Sequence, residues 1–225
     1  MVSFQDDGST TEGYLAVPES GSGPAVIVIQ EWWGLVGHVK SVVDRFAAEG
    51  FVAFAPDLYG GATTKEPDEA GKLMMGLEMD RAAAHIGAAA NYLTELPATS
   101  SAGVGCVGFC MGGSLSLWSA TLSDDIVAAV GFYPALPWSR IDPAWHNYTG
   151  KHAMIHADEV EGGCAAEGLQ AAGKAIEAAG GSVTCFEYPG TDHAFFNDDR
   201  PEVYDETAAR EAWSRTLNLF RARVV

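Results

Sequence analysis

At 225 residues and 23.7 kDa, with 48% hydrophobic residues, the chain is long enough to bury one large core, so we expect a single domain over residues 1–225. The formal net charge of −17 argues against a nucleic-acid partner and against an anionic membrane surface. There is no charged start followed by an apolar run, and no apolar span of about 18 residues. The sequence therefore predicts a cytoplasmic protein.

Apolar strands and helical patterns alternate along the chain. The strands are predicted at 24–30, 51–56, 104–109, 126–133, 152–157 and 182–188, because these runs are apolar almost throughout, as buried parallel strands are. Helices are predicted between and after them, at 39–49, 78–96, 111–120, 165–179 and 205–221. This alternation predicts an α/β fold, with a mostly parallel sheet and helices on both faces.

The cysteines and glycines give no sign of a cofactor. Cys106, Cys110, Cys164 and Cys185 lack the Cys-x-x-Cys spacing of a metal site and are too few for a disulfide framework. We expect Cys106 and Cys185 to pack within strands and Cys164 to lie in an exposed loop. The Gly-x-Gly-x-x-Gly pattern at 103–108 falls before and within a strand, so it is not a dinucleotide fingerprint. We expect neither a cofactor nor a metal.

The most informative segment, Gly108-Phe109-Cys110-Met111-Gly112, reads Gly-x-Cys-x-Gly between a predicted strand and a predicted helix. A nucleophile elbow holds its central residue in a strained turn, and the positions two residues away on either side must be nearly free of side chain. Glycines occupy both positions here. Such a turn exposes the nucleophile and directs helical N–H groups toward a developing oxyanion. The alternative is a buried packing cysteine beside a tight turn.

Two later loops supply candidates for the other members of a catalytic triad. An α/β-hydrolase places its acid and its histidine, in that order, on loops that follow strands downstream of the nucleophile. The strand at 152–157 leads into an acidic loop that contains Asp158 and Glu161, and the strand at 182–188 is followed by His193. Considered by itself, His193 could instead be a loop histidine exposed to solvent.

Together these residues resemble the dienelactone hydrolases, or carboxymethylenebutenolidases, which are α/β-hydrolases with a cysteine nucleophile. The resemblance covers nearly the whole chain, and it rests on Gln30-Glu31-Trp32-Trp33-Gly34, Pro56-Asp57-Leu58-Tyr59, the elbow and Asp192-His193-Ala194-Phe195. It implies a carboxylic ester hydrolase that opens a small-molecule lactone or ester. We expect the chain to act as a monomer or a small homo-oligomer.

The resemblance also implies individual roles. Glu31 matches the family glutamate that takes the proton of the thiol, and the N–H groups of Met111 and Trp32 match the oxyanion hole. Proton transfer from a cysteine to a glutamate is uphill by roughly four pKa units in water. Burial beside Trp32 and Trp33 would raise the pKa of the glutamate and narrow that gap.

Two departures from the family pattern leave alternatives open. Counting from His156 puts the role of the family aspartate on Glu161, and Asp158 is the alternative, although it lies close to the strand end. The second departure concerns the substrate, because Asn197 stands where the family has a carboxylate-binding arginine.

We therefore take Asn197 and Trp33 as candidate substrate-binding residues and expect neutral substrates to be preferred. Lys72, Arg81 or Arg200 are possible replacements for the missing arginine. The second class of function is a non-catalytic or redox-acting relative that uses Cys110 as a ligand-binding or oxidation-sensitive thiol.

Overall fold

A computed structural model of the chain describes residues 1–6, 9–136 and 138–225, and it contains an eight-stranded sheet of order β1-β2-β4-β3-β5-β6-β7-β8. The strands are β1 (Val2–Asp6), β2 (Ser9–Ala16), β3 (Gly23–Ile29), β4 (Val52–Pro56), β5 (Thr99–Phe109), β6 (Ile126–Phe132), β7 (His152–Asp158) and β8 (Ser182–Tyr188). The helices are α1 (Gly37–Ala48), α2 (Pro67–Gly76), α3 (Met79–Glu95), α4 (Met111–Ser119), α5 (Glu167–Ala178) and α6 (Glu206–Arg223). Short 3-10 turns lie at Trp145–Tyr148 and Gly163–Ala165.

The predicted α/β fold is confirmed, and the six predicted strands correspond to β3–β8, which run parallel to one another. Strands β1 and β2, which pair antiparallel at one edge of the sheet, were not predicted. They contain many polar residues, so they lack the continuous apolar run by which the buried strands were recognised. Helix α2, which has a single buried residue, Ala70, was not predicted either.

Each face of the sheet is covered by helices. Val26 and Val28 of β3 pack on the face where α1 supplies Phe46 and α6 supplies Phe220, whereas Ile27 and Ile29 point to the other face. That second face is covered by α3, α4 and α5. Full burial of one such aromatic or aliphatic side chain stabilises the fold by roughly 1.5–3 kcal/mol. No helix in the described residues is both long and apolar enough to cross a bilayer.

The parallel strands bring five chemically active residues to one edge of the sheet. Glu31 follows the end of β3, Cys110 follows β5, Tyr133 follows β6 and Asp158 closes β7, while His193 lies in the loop beyond β8. Ligands of open α/β sheets bind outside the carboxyl ends of the strands. The topology therefore assembles the candidate site from residues far apart in sequence.

The prediction that Cys164 and Cys185 are separate thiols was wrong, since the two form a disulfide with Cα atoms 5.9 Å apart. Their separation of 21 residues in the sequence gave no hint of this contact. The two cysteines meet because the loop after β7 folds back over the edge strand β8. The N–H of Cys164 also donates to Glu187 Oε2 at 3.0 Å. Closing a loop of this length stabilises the folded state by about 3 kcal/mol. Cys106 is a free, buried strand residue, as expected.

Candidate active site

Cys110 lies in a strained turn between β5 and α4, with φ of 55° and ψ of −120°. Its N–H donates to Phe132 O at 3.0 Å, which ties the turn to the neighbouring strand β6. A Cβ at Gly108 would lie 1.9 Å from Gly112 O, and one at Gly112 would lie 2.4 Å from Gln30 O. Both positions therefore require glycine, and the backbone has the geometry expected of a nucleophile elbow.

Backbone strain is concentrated around this residue. Among the described residues, the non-glycine positions with positive φ are Cys110, Tyr133 at 40° and Ala194 at 70°. All three line one cavity. Such conformations cost roughly 1–3 kcal/mol each and persist only where the surrounding structure imposes them, which is common at active sites.

Two carboxylates flank the imidazole of His193 on the same side. Its Nδ1 lies 3.4 Å from Asp158 Oδ2 and 3.3 Å from Glu161 Oε1. The side chain of Asp158 is 1% exposed and that of Glu161 is 47% exposed. Asp158 is fixed further because its Oδ1 accepts the N–H of Glu161 at 2.8 Å. Asp158 thus reaches the histidine despite its position at the strand end.

The neighbours of His193 favour the charged form of its imidazole. Burial lowers the pKa of His193, but interactions with Asp158, Cys110 and Glu161 outweigh burial and raise this pKa to about 12. A group whose pKa is raised in this way keeps its proton to higher pH than a free histidine does. The arrangement brings the sulfur of Cys110, the imidazole and two carboxylates together.

Glu31 lies in the same cavity and is almost completely buried, at 1% exposure. Its Oε2 accepts a hydrogen bond from Asn197 Nδ2 at 2.7 Å, and the hydroxyl of Tyr133 lies 3.5 Å from its Oε1. Burial raises the pKa of Glu31, although His38, Asn197 and His193 act in the opposite direction. The direction agrees with the expectation from sequence, and the partners Asn197 and Tyr133 were not foreseen.

The cavity that contains Cys110 has a volume of about 310 Å³. Aromatic and sulfur-containing side chains make up most of its wall, and Arg200 is the one arginine or lysine among the described residues that line it. The wall includes Trp32, Trp33, Met74, Met111, Tyr133 and Trp138. Lys72 and Arg81 instead line a neighbouring cavity of about 250 Å³ beside Tyr59. Trp138 and Tyr133 belong to an aromatic-rich segment after β6, but α2, which carries Met74, gave no clear sequence signal.

Asn197 lies behind Glu31 and is 2% exposed. It does not line the cavity around Cys110, although it borders a separate cavity with Trp33 and Arg200. Its role in binding substrate stays a prediction. In the structure its amide supports Glu31.

Two backbone N–H groups belong to residues that line the cavity around Cys110. Met111 is the first residue of α4, and Trp32 follows Glu31 in the turn after β3. Within the described part of the chain neither N–H has a hydrogen-bond acceptor. Free backbone N–H groups, such as that of Met111 at a helix start, are suited to bind a negatively charged oxygen.

Asp158, Glu161 and His193 also form the one group of described residues whose ligand atoms lie close enough together, within 4.8 Å, to hold a metal ion. Acidic groups often lie close together without a metal, so this cluster is no evidence for one.

The fold is that of an α/β-hydrolase, with Cys110 on an elbow and a histidine and carboxylates on later loops. The model of the dienelactone hydrolase family matches residues 11–224, and the chain belongs to this family. The protein is a carboxylic ester hydrolase of the carboxymethylenebutenolidase type, a family that acts on small esters and lactones.

Relatives match over nearly their full length. "Protein usf" of Aquifex pyrophilus is 39% identical, with 98% of this chain and 97% of the relative covered. "Putative carboxymethylenebutenolidase" of Aquifex aeolicus is 35% identical at the same coverage. The crystal structure of a dienelactone hydrolase-like promiscuous phosphotriesterase from metagenomic libraries has a TM-score of 0.80 and 25% identity, covering 98% of this chain and 96% of that one.

Replacing Asp158 with asparagine should lower the pKa of His193. Loss of a charge within about 4–6 Å changes a pKa by about 1–3 pH units, and the carboxylate of Asp158 is buried. Glu161→Gln is the matched control, and its effect should be smaller because water screens the half-exposed Glu161 carboxylate. Imidazole NMR titration measures both variants against the wild type. An unchanged pKa in Asp158→Asn, or a larger decrease in Glu161→Gln, would contradict this ranking.

Proposed function

We propose that the protein hydrolyses lactones or esters with Cys110 as the nucleophile. The observation that carries this proposal is the position of Cys110, a free cysteine on a glycine-flanked elbow in one cavity with His193 and Glu31. Cys106 is buried in β5, and burial raises its pKa to about 12, so it is not a competing nucleophile. Cys164 and Cys185 are joined in the disulfide.

In the acylation step, the Cys110 thiolate attacks the carbonyl carbon of the substrate. The carbonyl oxygen becomes an oxyanion, which the N–H groups of Met111 and Trp32 stabilise. The carbon–oxygen bond to the alcohol then breaks, and the imidazolium of His193 gives its proton to the leaving oxygen. In a lactone this oxygen remains attached to the acyl group. The products of this step are a thioester on Cys110 and a neutral imidazole.

In deacylation His193 acts as a base, whereas in acylation it acts as an acid. Neutral His193 accepts a proton from water as the water oxygen adds to the thioester carbonyl, and the carbon–sulfur bond then breaks. The acid product leaves, and the thiolate and imidazolium are restored. This cycle uses the interaction that raises the pKa of His193, because a charged imidazole and a thiolate stabilise each other.

We assign the task of orienting His193 mainly to Asp158, with Glu161 as a second carboxylate. The distances from Nδ1 differ by only 0.1 Å, so burial decides between the two. A buried and fixed carboxylate interacts more strongly with an imidazolium than a half-exposed one. Glu161, the residue favoured by sequence counting, contributes a screened charge at the mouth of the site.

Glu31 has a supporting role as a second acceptor for the thiol proton. The amide of Asn197 donates a hydrogen bond to Oε2. The hydroxyl of Tyr133 is 3.5 Å from Oε1, so Oε1 can still accept a proton. Because burial raises the pKa of Glu31, proton transfer from a thiol to this carboxylate is less unfavourable than in water. Trp33 forms part of the adjoining wall and is assigned to substrate binding.

We propose neutral lactones or esters with an apolar ring or chain as substrates. The wall of the cavity is largely aromatic, and its one arginine, Arg200, is paired with Glu202, with 2.9 Å between Nε and Oε1. A substrate carboxylate would compete with Glu202 for this one arginine. The net charge of −17 gives an anionic substrate no long-range attraction.

Cys110→Ala should lower hydrolysis of p-nitrophenyl acetate by at least about 10⁴-fold, because triad members act as a unit. The matched controls are Cys106→Ala and the double variant Cys164→Ser/Cys185→Ser, both of which should keep activity within a few-fold of wild type. Full activity in Cys110→Ala would refute the proposed nucleophile. A wild-type protein without turnover of any ester would favour the alternative, a ligand-binding or oxidation-sensitive thiol.

The wild-type protein should show a higher kcat/KM for an uncharged lactone than for the carboxylate-bearing dienelactone of similar ring size. Each charge-assisted hydrogen bond that a substrate carboxylate lacks costs about 1.5–3 kcal/mol, or roughly 10- to 100-fold in specificity. Arg200→Gln should change the value for the neutral lactone by less than about threefold. A wild-type preference for dienelactone that disappears in Arg200→Gln would contradict the assignment.

A further inference from the structure

Helix α2 forms part of the wall of the catalytic cavity but is only weakly anchored to the core. Ala70 is its one buried residue, while Met74 faces the cavity and Met75 is 64% exposed. The helix has no basic residue in its last turn and no side-chain cap at its start. Most helices in proteins are stabilised by packing an apolar face, and α2 has little of one. Its position therefore depends on contacts made by other segments.

Arg140, in the loop after β6, supplies such a contact. Its Nη1 donates to Met74 O and its Nη2 donates to Leu77 O, each at 2.5 Å. These carbonyls belong to the end of α2, which carries the negative end of the helix dipole. Within the backbone, Met74 O accepts only a long hydrogen bond of 3.3 Å from the N–H of Leu77. A two-pronged guanidinium satisfies both carbonyls at once, which a lysine cannot do with the same geometry.

The same arginine touches the second wall of the cavity. Its guanidinium carbon lies 5.9 Å from the ring centre of Trp138. Trp138 and Met74 both line the cavity around Cys110, from different segments of the chain. Arg140 itself does not line this cavity. It thus joins two parts of the wall without reaching the site of reaction.

We propose that Arg140 is a positioning residue that sets the substrate-size preference of the enzyme by fixing Met74 and Trp138 in the wall of the cavity. This inference rests on the proposed ester hydrolysis and concerns the acyl or ring portion of the substrate. With Arg140 in place the wall is closed, and long apolar groups bind between Met74 and Trp138. Without it the end of α2 is released, and the apolar contact with long substrates is lost. Short substrates do not reach this part of the wall.

The test compares the wild type with Arg140→Met on p-nitrophenyl esters from acetate to octanoate. Methionine has an unbranched side chain, as arginine does, but it has no hydrogen-bond donors. We expect KM for the octanoate ester to rise about tenfold with little change in kcat, and kcat/KM for the acetate ester to stay within twofold of wild type. Arg140→Lys should restore part of the loss. The matched control is Arg210→Met, which removes an exposed arginine of α6 that lines none of these cavities and should leave the whole series unchanged.

Each outcome of this series is decisive. An equal decrease for all chain lengths, or a fall in kcat alone, would overturn the proposal and indicate general loosening of the site. An unchanged series would overturn it as well. A wild-type protein that hydrolyses no ester would instead refute the proposed function. Thermal unfolding of Arg140→Met identifies a misfolded variant, and in that case the series with Arg140→Lys decides.

Discussion

The structure of the site depends on direct contact between backbones at the elbow. Gly108, Gly112 and Gly113 leave no room for a Cβ, because a carbon added at these positions would lie 1.9 to 2.6 Å from backbone carbonyl oxygens. These oxygens belong to the elbow itself, to β6, and to the end of β3 and the residue after it. This contact brings the start of α4 against the ends of three strands. Because Glu31 and Tyr133 follow two of these strands, the same constraint fixes their distances from Cys110. Larger residues would separate the nucleophile from its partners.

Local electrostatics, rather than the charge of the whole molecule, control the chemistry of the site. A protein with a net charge of −17 favours cations in general, but the charged state of His193 is due to specific neighbours. Glu31 experiences the opposite effect, because its burial disfavours the charged form. The pKa values of His193 and Glu31 are therefore set by different causes. Burial by itself lowers the pKa of His193, but the low local dielectric constant also strengthens the interactions with charged neighbours that raise this pKa.

Much of this arrangement could be predicted from the sequence. Continuous apolar runs identified β3–β8, and the order of nucleophile, acidic loop and histidine identified the residues that meet at the sheet edge. Three features had no local signal. The Cys164–Cys185 disulfide depends on how a loop folds over β8, the roles of Asp158 and Glu161 depend on burial, and α2 is held by Arg140 rather than by a periodic apolar face. Tertiary contacts decide each of these, and sequence spacing does not report them.

The central claim is that hydrolysis proceeds through a thioester on Cys110. Rapid mixing of the enzyme with a p-nitrophenyl ester, an acid quench and peptide mass spectrometry test it most directly. The account predicts an acyl group on the peptide that contains Cys110, formed within one turnover and then lost, and the same acyl group persisting in His193→Gln, where no base activates water. An acyl group on a different residue, or product formation without any acylated peptide in His193→Gln, would contradict it.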